Sequence, residues 1–305
     1  MILSCKIKDI IFNNPILVAS GTYGYGNEVK DLVDVSMLGG IVTKSVTLHP
    51  REGNNPPRIT ETPSGMLNSI GLANPGVKVF CENKVPYLNN LETNIVINIA
   101  GSQINDYLET LRTIELSNGN HIGYEINISC PNVKEGGMEF GVSPEVTEKL
   151  THEMRKLTDK LLIMKLSPNV TDIVSIAKAA ENGGADAVSA INTVIGMSID
   201  INTRKSKLFT NIGGLSGPAI KPIALANIHK LYSAINIPII GIGGISSAKD
   251  VIEFILAGAH LVQIGTHNYI NPNAGVEIAN ELSDYCKNNN FKYILDLKGK
   301  MISNG

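Results

Sequence analysis

Short apolar runs alternate with amphipathic stretches along most of this chain, and that alternation restricts the fold more than any other feature. The runs fall at 16–21, 40–44, 95–100, 124–128, 161–166, 187–191, 239–242 and 261–265. Apolar residues on consecutive positions mark strands covered on both faces, the condition inside a parallel sheet. Between them, 143–158, 171–182, 219–233 and 246–257 carry the spacing of helices with one buried face. Ser143 with Pro144 behind it, Thr171, and Ser246 or Ser247 supply helix starts, while Asn182-Gly183-Gly184 and Gly258 supply stops. Eight strand–helix units predict a single TIM (β/α)8 barrel over residues 1–305, with the active site at the C-terminal ends of the strands.

Three stretches exceed the minimal barrel. Residues 46–68 hold Pro50, Pro56, Pro57 and Pro63 and read as an elaborated loop after the second strand. Residues 132–141 contain Gly136-Gly137 and read as a mobile lid after the fourth. Residues 194–217 follow the sixth, and the alternating run from Ser198 to Asn202 predicts a hairpin there. All three lie on the expected catalytic face, where long loops carry function.

Composition excludes several classes. With 43% hydrophobic and 18% charged residues the chain can fill a core of this size, and a formal charge of −2 offers no basic face for nucleic acid. Cys5, Cys81, Cys130 and Cys286 are scattered without a C-x-x-C pair, so neither a metal or iron–sulfur site nor a disulfide framework is expected, and a reducing cytoplasm fits best. The first residues lack the pattern of a signal peptide, and no apolar run reaches the roughly 18 residues of a membrane span. The six histidines show no ligand spacing and read as surface or loop residues; no metal site is expected.

The chemistry-bearing residues gather at the predicted strand ends. Cys130 follows the fourth run and Pro131 stops it, placing a thiol between Asn127 and Asn132; the competing reading is a packed loop cysteine. Lys44 and Lys165 end the second and fifth runs. A lysine there either faces a polar cavity or snorkels out, because an unpaired buried ammonium is costly. Two lysines on one rim suit an anionic flavin edge, a carboxylate substrate, or a Schiff base. Asn68, Asn98, Asn127, Asn132 and Asn192-Thr193, joined by the hydroxyls of Ser20 and Ser45, form a ring of amides suited to a flat heterocycle such as a pyrimidine or isoalloxazine. Gly241-Ile-Gly-Gly-Ile-Ser246 after the seventh run and Gly265-Thr266 after the eighth read either as tight turns or as a phosphate cradle of backbone N–H groups. This is not the G-x-G-x-x-G pattern of a dinucleotide fold.

These motifs, together with Ala19-Ser-Gly-Thr-Tyr-Gly, Thr43-Lys-Ser, Gly65-Met-Leu-Asn-Ser-Ile-Gly-Leu72, Asn127-Ile-Ser-Cys-Pro-Asn-Val, Lys165-Leu-Ser-Pro-Asn and Gly213-Gly-Leu-Ser-Gly-Pro-Ala-Ile-Lys-Pro222, resemble the class 1 dihydroorotate dehydrogenases. The order is the expected one from about residue 5 to about residue 270. The Leu48-His-Pro-Arg loop and the segment after Cys130 look like the NAD-linked subclass, 1B. The resemblance implies one FMN per chain, and an electron-transfer partner subunit carrying FAD and a [2Fe–2S] cluster, with two copies of each chain in a heterotetramer. It implies an FMN site of Ser20, Lys44, Ser45, Asn98, Asn127, Lys165, Ile191, Gly217, Gly243, Gly244, Gly265 and Thr266. It implies a substrate site of Lys44, Asn68, Ser69, Ile70, Gly71, Leu72, Asn127, Asn192 and Thr193, with Cys130 as base and Lys44 and Lys165 as catalytic cations. The implied reaction is oxidation of (S)-dihydroorotate to orotate in pyrimidine synthesis, with electrons passing to NAD+. The alternatives are the fumarate-linked 1A subclass, another flavin pyrimidine oxidoreductase, and a flavin-free Schiff-base lyase.

Overall fold

The computed structural model describes residues 2–128 and 141–303, with the backbone of the short strands Lys134–Glu135 and Met138–Glu139 between them. Eight parallel strands close into a barrel: β1 (Ile16–Val18), β2 (Gly40–Val42), β3 (Ile95–Ile99), β4 (Gly123–Asn127), β5 (Leu161–Lys165), β6 (Ala187–Ala190), β7 (Ile239–Ile242) and β8 (Leu261–Ile264). Each pairs with its neighbour in chain order, and β8 returns to β1 with Val262 opposite Ile16 and Ile264 opposite Val18. All eight expected strands are present. Most end one or two residues earlier than the apolar runs do, because the chain turns outward to build the mouth.

Local chemistry explains the helix boundaries. Ser143 caps Pro144–Arg155 and Ser247 caps Ala248–Ala257, each through its side chain. The helix Ile173–Asn182 is capped by Asp172, whose carboxylate accepts from Val174 N, and not by Thr171 as the sequence led us to expect. Lys221–Tyr232 starts two residues late because Pro218–Ile220 first makes a 3-10 turn. At Gly258 the chain takes φ +119°, and a Cβ there would stand 2.2 Å from Tyr232 Cγ, so only glycine fits this stop. After β1 two 3-10 turns, Asn27–Val29 and Val35–Met37, take the place of a helix.

The proline-rich loop is more ordered than a loop. Ile59–Thr62 and Gly65–Asn68 pair with each other, and Gly65–Asn68 pairs with Ile212–Ser216, which pairs with Val194–Met197. The first and third insertions noted above thus merge into one four-stranded antiparallel sheet beside the mouth. The hairpin expected from residue 198 exists as Ile199–Asp200 against Lys205–Ser206.

The opposite end is closed by the hairpin Cys5–Ile7 with Ile10–Phe12. Lys8 Nζ donates to Asp159 O, and His260 Nε2 donates to Lys6 O. His121, at the start of β4, is buried rather than superficial. The Tyr124 hydroxyl spends its hydrogen on Glu115 Oε1 (2.9 Å), so His121 Nε2 donates to that hydroxyl at 2.7 Å, leaving Nδ1 as a buried atom without a partner among the described residues. Burial, reinforced by the Lys160 cation, pushes the imidazole down to about 4. Its folded value lies below the unfolded one, so the unfolded chain takes up protons that the folded chain refuses. Stability is therefore expected to be unaffected by this residue above pH 6.5 and to fall between 6.5 and about 4, by up to about 3 kcal/mol. Urea denaturation across that range should show a shallower loss for His121→Gln than for the parent; parallel curves would rule the residue out.

Candidate active site

The barrel interior beneath the mouth is polar. Barrel interiors are ordinarily filled by branched apolar side chains in layers. Here Glu125 of β4, fully buried, collects donors from four other strands. Its Oε1 accepts from Asn98 Nδ2 of β3 at 2.7 Å and from Lys165 Nζ of β5 at 3.3 Å. Its Oε2 accepts from Ser189 Oγ of β6 at 2.9 Å and from Gln263 Nε2 of β8 at 2.6 Å. Strands β4 and β8 stand opposite one another in the closed barrel, so the last of these bonds spans the interior. Asn98 in turn accepts from Ser45 Oγ at 2.6 Å through Oδ1. Asn98 and Ser45 are thus tied to each other and belong to this layer.

One step higher lie the amides. Lys165 is in register with Asn127, two residues beyond Glu125 on the same face of β4. Asn127 Oδ1 accepts from Asn192 Nδ2 at 3.3 Å, and its backbone oxygen accepts from the Tyr107 hydroxyl. Asn192 Oδ1 accepts from Thr193 N at 2.8 Å. Thr193 packs against Gly214 so closely that a Cβ on Gly214 would stand 2.0 Å from Thr193 Oγ1. Asn68 Nδ2 donates to Gly214 O from the other side. Four segments distant in sequence therefore place Asn127, Lys165, Asn192, Thr193 and Asn68 in one continuous patch. The loop carrying Ser69, Ile70, Gly71 and Leu72 is anchored by Ser69 N to Arg58 O and Asn54 N to Ile70 O. Ser69 Oγ is buried without a partner among the described residues, an atom that a bound polar group would satisfy.

Across the mouth, the glycine turns converge. Gly217, Gly243 and Gly244 take φ +93°, +131° and +73°. A Cβ on Gly244 would lie 2.8 Å from Gly217 O, and one on Gly217 would lie 3.6 Å from Thr266 Cγ2. Thr266 Oγ1 donates to Ser216 Oγ at 2.8 Å. The space above β1 and β8 is open: a Cβ on Gly265 would meet only Ala19 Cβ at 3.7 Å, and one on Gly21 would meet nothing within 4 Å. Ser20 and Lys44 are half-buried on the same rim, and Ile191 is buried beneath it, its N bonded to Ile242 O. The helix Ala248–Ala257 does not aim a bare N-terminus into this space. Asp250 accepts from Ser246 N and Oγ, Ser247 Oγ and Lys221 Nζ. Burial works to raise the Asp250 carboxyl, but these bonds hold it below the usual carboxylate range.

Cys130 and Asn132, with Ser129 and the segment through Phe140, lie outside the described residues, apart from the two strand backbones named above. Cys5, Cys81 and Cys286 are free thiols, and burial raises all three, Cys5 to about 12. Among the described residues no group of His, Cys, Asp and Glu is placed to hold a metal, and no helix is long and apolar enough to cross a membrane. The sequence reading missed Glu125, Ser189 and Gln263. Each was visible as a polar residue inside an otherwise apolar run.

A closed barrel with lysines, carboxamides and glycine turns gathered at the C-terminal mouth is that of a barrel enzyme. Residues 2–285 match the dihydroorotate dehydrogenase family, and the chain belongs to it. It is 47% identical over 301 residues to a protein of Thermoanaerobacter pseudethanolicus, covering 99% of each chain. It is 49% identical to proteins of Parabacteroides distasonis, covering 98% of each chain, and Porphyromonas gingivalis, covering 97% of this chain and 96% of that one. All three bear the name dihydroorotate dehydrogenase B (NAD(+)), catalytic subunit.

Proposed function

We propose that this chain is the catalytic half of an NAD-linked dihydroorotate dehydrogenase. It oxidises (S)-dihydroorotate to orotate in pyrimidine synthesis, in the cytoplasm. The observation that carries the reading is the continuous patch from Asn68 through Thr193 and Asn192 to Asn127 and Lys165, in a chain alike over nearly its full length to catalytic subunits of that name.

The residues present fit FMN. Open space above Gly21 and Gly265, and three positive-φ glycines beside Thr266, suit a phosphate held by backbone N–H groups. Bound there, FMN would supply a two-electron acceptor for the hydride leaving dihydroorotate C6. Gly217, Gly243, Gly244, Gly265 and Thr266 would hold its phosphate. Ser20, Lys44, Ser45, Asn98, Asn127, Lys165 and Ile191 would hold the rest. Asn68 to Leu72, Asn127, Asn192 and Thr193 would clamp the substrate's carbonyls and ring N–H groups, and Lys44 would bridge substrate and flavin. Carboxamides suit this task because they offer directional donors and acceptors without a charge to desolvate. Cys130 would take the proton from C5, made acidic by polarisation of the neighbouring carbonyl.

The absence of a C-x-x-C pair or dinucleotide motif from the sequence supports an electron-transfer partner carrying FAD and a [2Fe–2S] cluster, in a heterotetramer of two and two. The ion pair of Lys165 with Glu125 disfavours that lysine as the nucleophile of a Schiff-base lyase, since an ammonium has no lone pair to attack a carbonyl. The test is anaerobic addition of dihydroorotate, or dihydrouracil as control, to the FMN-loaded protein, followed by NAD+ or fumarate with and without the co-expressed partner. Bleaching by dihydroorotate and reoxidation by NAD+ only with the partner is expected. Reoxidation by fumarate alone would reassign the acceptor.

A further inference from the structure

We propose that Glu125 is a positioning residue that sets the flavin's reduction potential by balancing and anchoring the Lys165 ammonium. The inference rests on the FMN reading above and adds to it a residue that touches neither flavin nor substrate. Glu125 is fully buried, and its two oxygens take four hydrogen bonds, from Asn98, Lys165, Ser189 and Gln263. Such an arrangement is poorly explained by stability. A buried ion pair sacrifices hydration that its mutual attraction barely restores, and apolar residues of similar size commonly do as well. The carboxylate is useful where two neighbours must be held and one of them is charged.

Two consequences follow from the geometry. First, Asn98 and Lys165 approach the same oxygen, Oε1, from β3 and β5, so one atom fixes both side chains across the strand that separates them. Second, with Glu125 in place the Lys165–Glu125 pair adds no net charge beneath the mouth. Without it, an unbalanced cation would face a flavin that becomes more electron-rich on reduction, and reduction would become easier. Glutamine at 125 keeps the shape and one acceptor oxygen but removes the charge and turns an NH2 toward two of the donors.

The experiment is equilibrium dye titration of the flavin midpoint potential in the FMN-loaded parent, Glu125→Gln, Lys165→Met and the double variant. Glu125→Gln is expected to raise the ratio of reduced to oxidised flavin at a fixed potential by about tenfold, which is about 30 mV for a two-electron couple. Lys165→Met should shift it the other way, and adding Glu125→Gln to Lys165→Met should change little, because the carboxylate acts through the lysine. If Glu125→Gln fails to fold, Glu125→Leu, an apolar residue of similar size, takes its place in the titration with a rise again expected. An unchanged or lowered potential in Glu125→Gln, or an equal shift with and without Lys165, overturns the proposal while leaving the flavin reading intact. A parent protein that takes up no FMN overturns both.

Discussion

Cys130→Ser is expected to keep its flavin and to lose about 10²–10⁴-fold in turnover at neutral pH, the usual contribution of a positioned base. A thiol with an ordinary value near 8.5 has a usable thiolate fraction at neutral pH, about a few per cent, whereas a serine hydroxyl has almost none. Turnover of the parent should climb as pH rises toward that value. No other cysteine is positioned to take over. Cys5 belongs to the hairpin at the far end of the barrel, and burial pushes it up to about 12. Cys81 and Cys286 lie on outer helices and are raised by burial as well. Stopped-flow reduction by dihydroorotate separates this step from the onward passage of electrons. If flavin reduction in Cys130→Ser keeps the parent's rate and pH profile, the proton leaves by another route.

The fold was legible because its determinants are local. Each barrel strand is an apolar run bounded by polar or small residues, and the helices declare themselves by caps such as Ser143-Pro144 and Ser247. What escaped depended on partners remote in sequence. The stretch from Ile59 to Asn68 reads as a proline-rich loop until Ile212–Ser216 supplies the edge that makes it a sheet. The rim residues were legible as polar endings of strands. Glu125 was not, because a strand-end search passes over an acid set inside Tyr124-Glu-Ile-Asn. Period-two alternation puts Glu125 on the face of Asn127, and the same rule exposes Ser189 and Gln263. That Ser189 and Gln263 meet on the Glu125 carboxylate could be read only from the closed barrel, where β4, β6 and β8 point inward together.

Lys165→Met is expected to injure stability and chemistry together. The substitution preserves most of the side chain's volume but leaves the Glu125 carboxylate fully buried without its cation. Breaking one side of a buried pair costs about 3–5 kcal/mol, mostly the desolvation of the charge left behind. Asn98, Ser189 and Gln263 still donate to that carboxylate, which places the loss at the lower end of the range. The flavin, deprived of the cation at its side, should become harder to reduce, so single-turnover reduction by dihydroorotate should slow. Lys165→Met/Glu125→Gln should recover much of the lost stability, because the orphaned charge is gone, while the slow reduction persists, because the cation is still missing. Recovery of stability separates a carboxylate that needs its lysine from a lysine lost merely as packing. Measured by urea denaturation, a double variant no more stable than Lys165→Met would show that the pair is not coupled, and single-turnover reduction at the parent's rate would remove Lys165 from the chemistry.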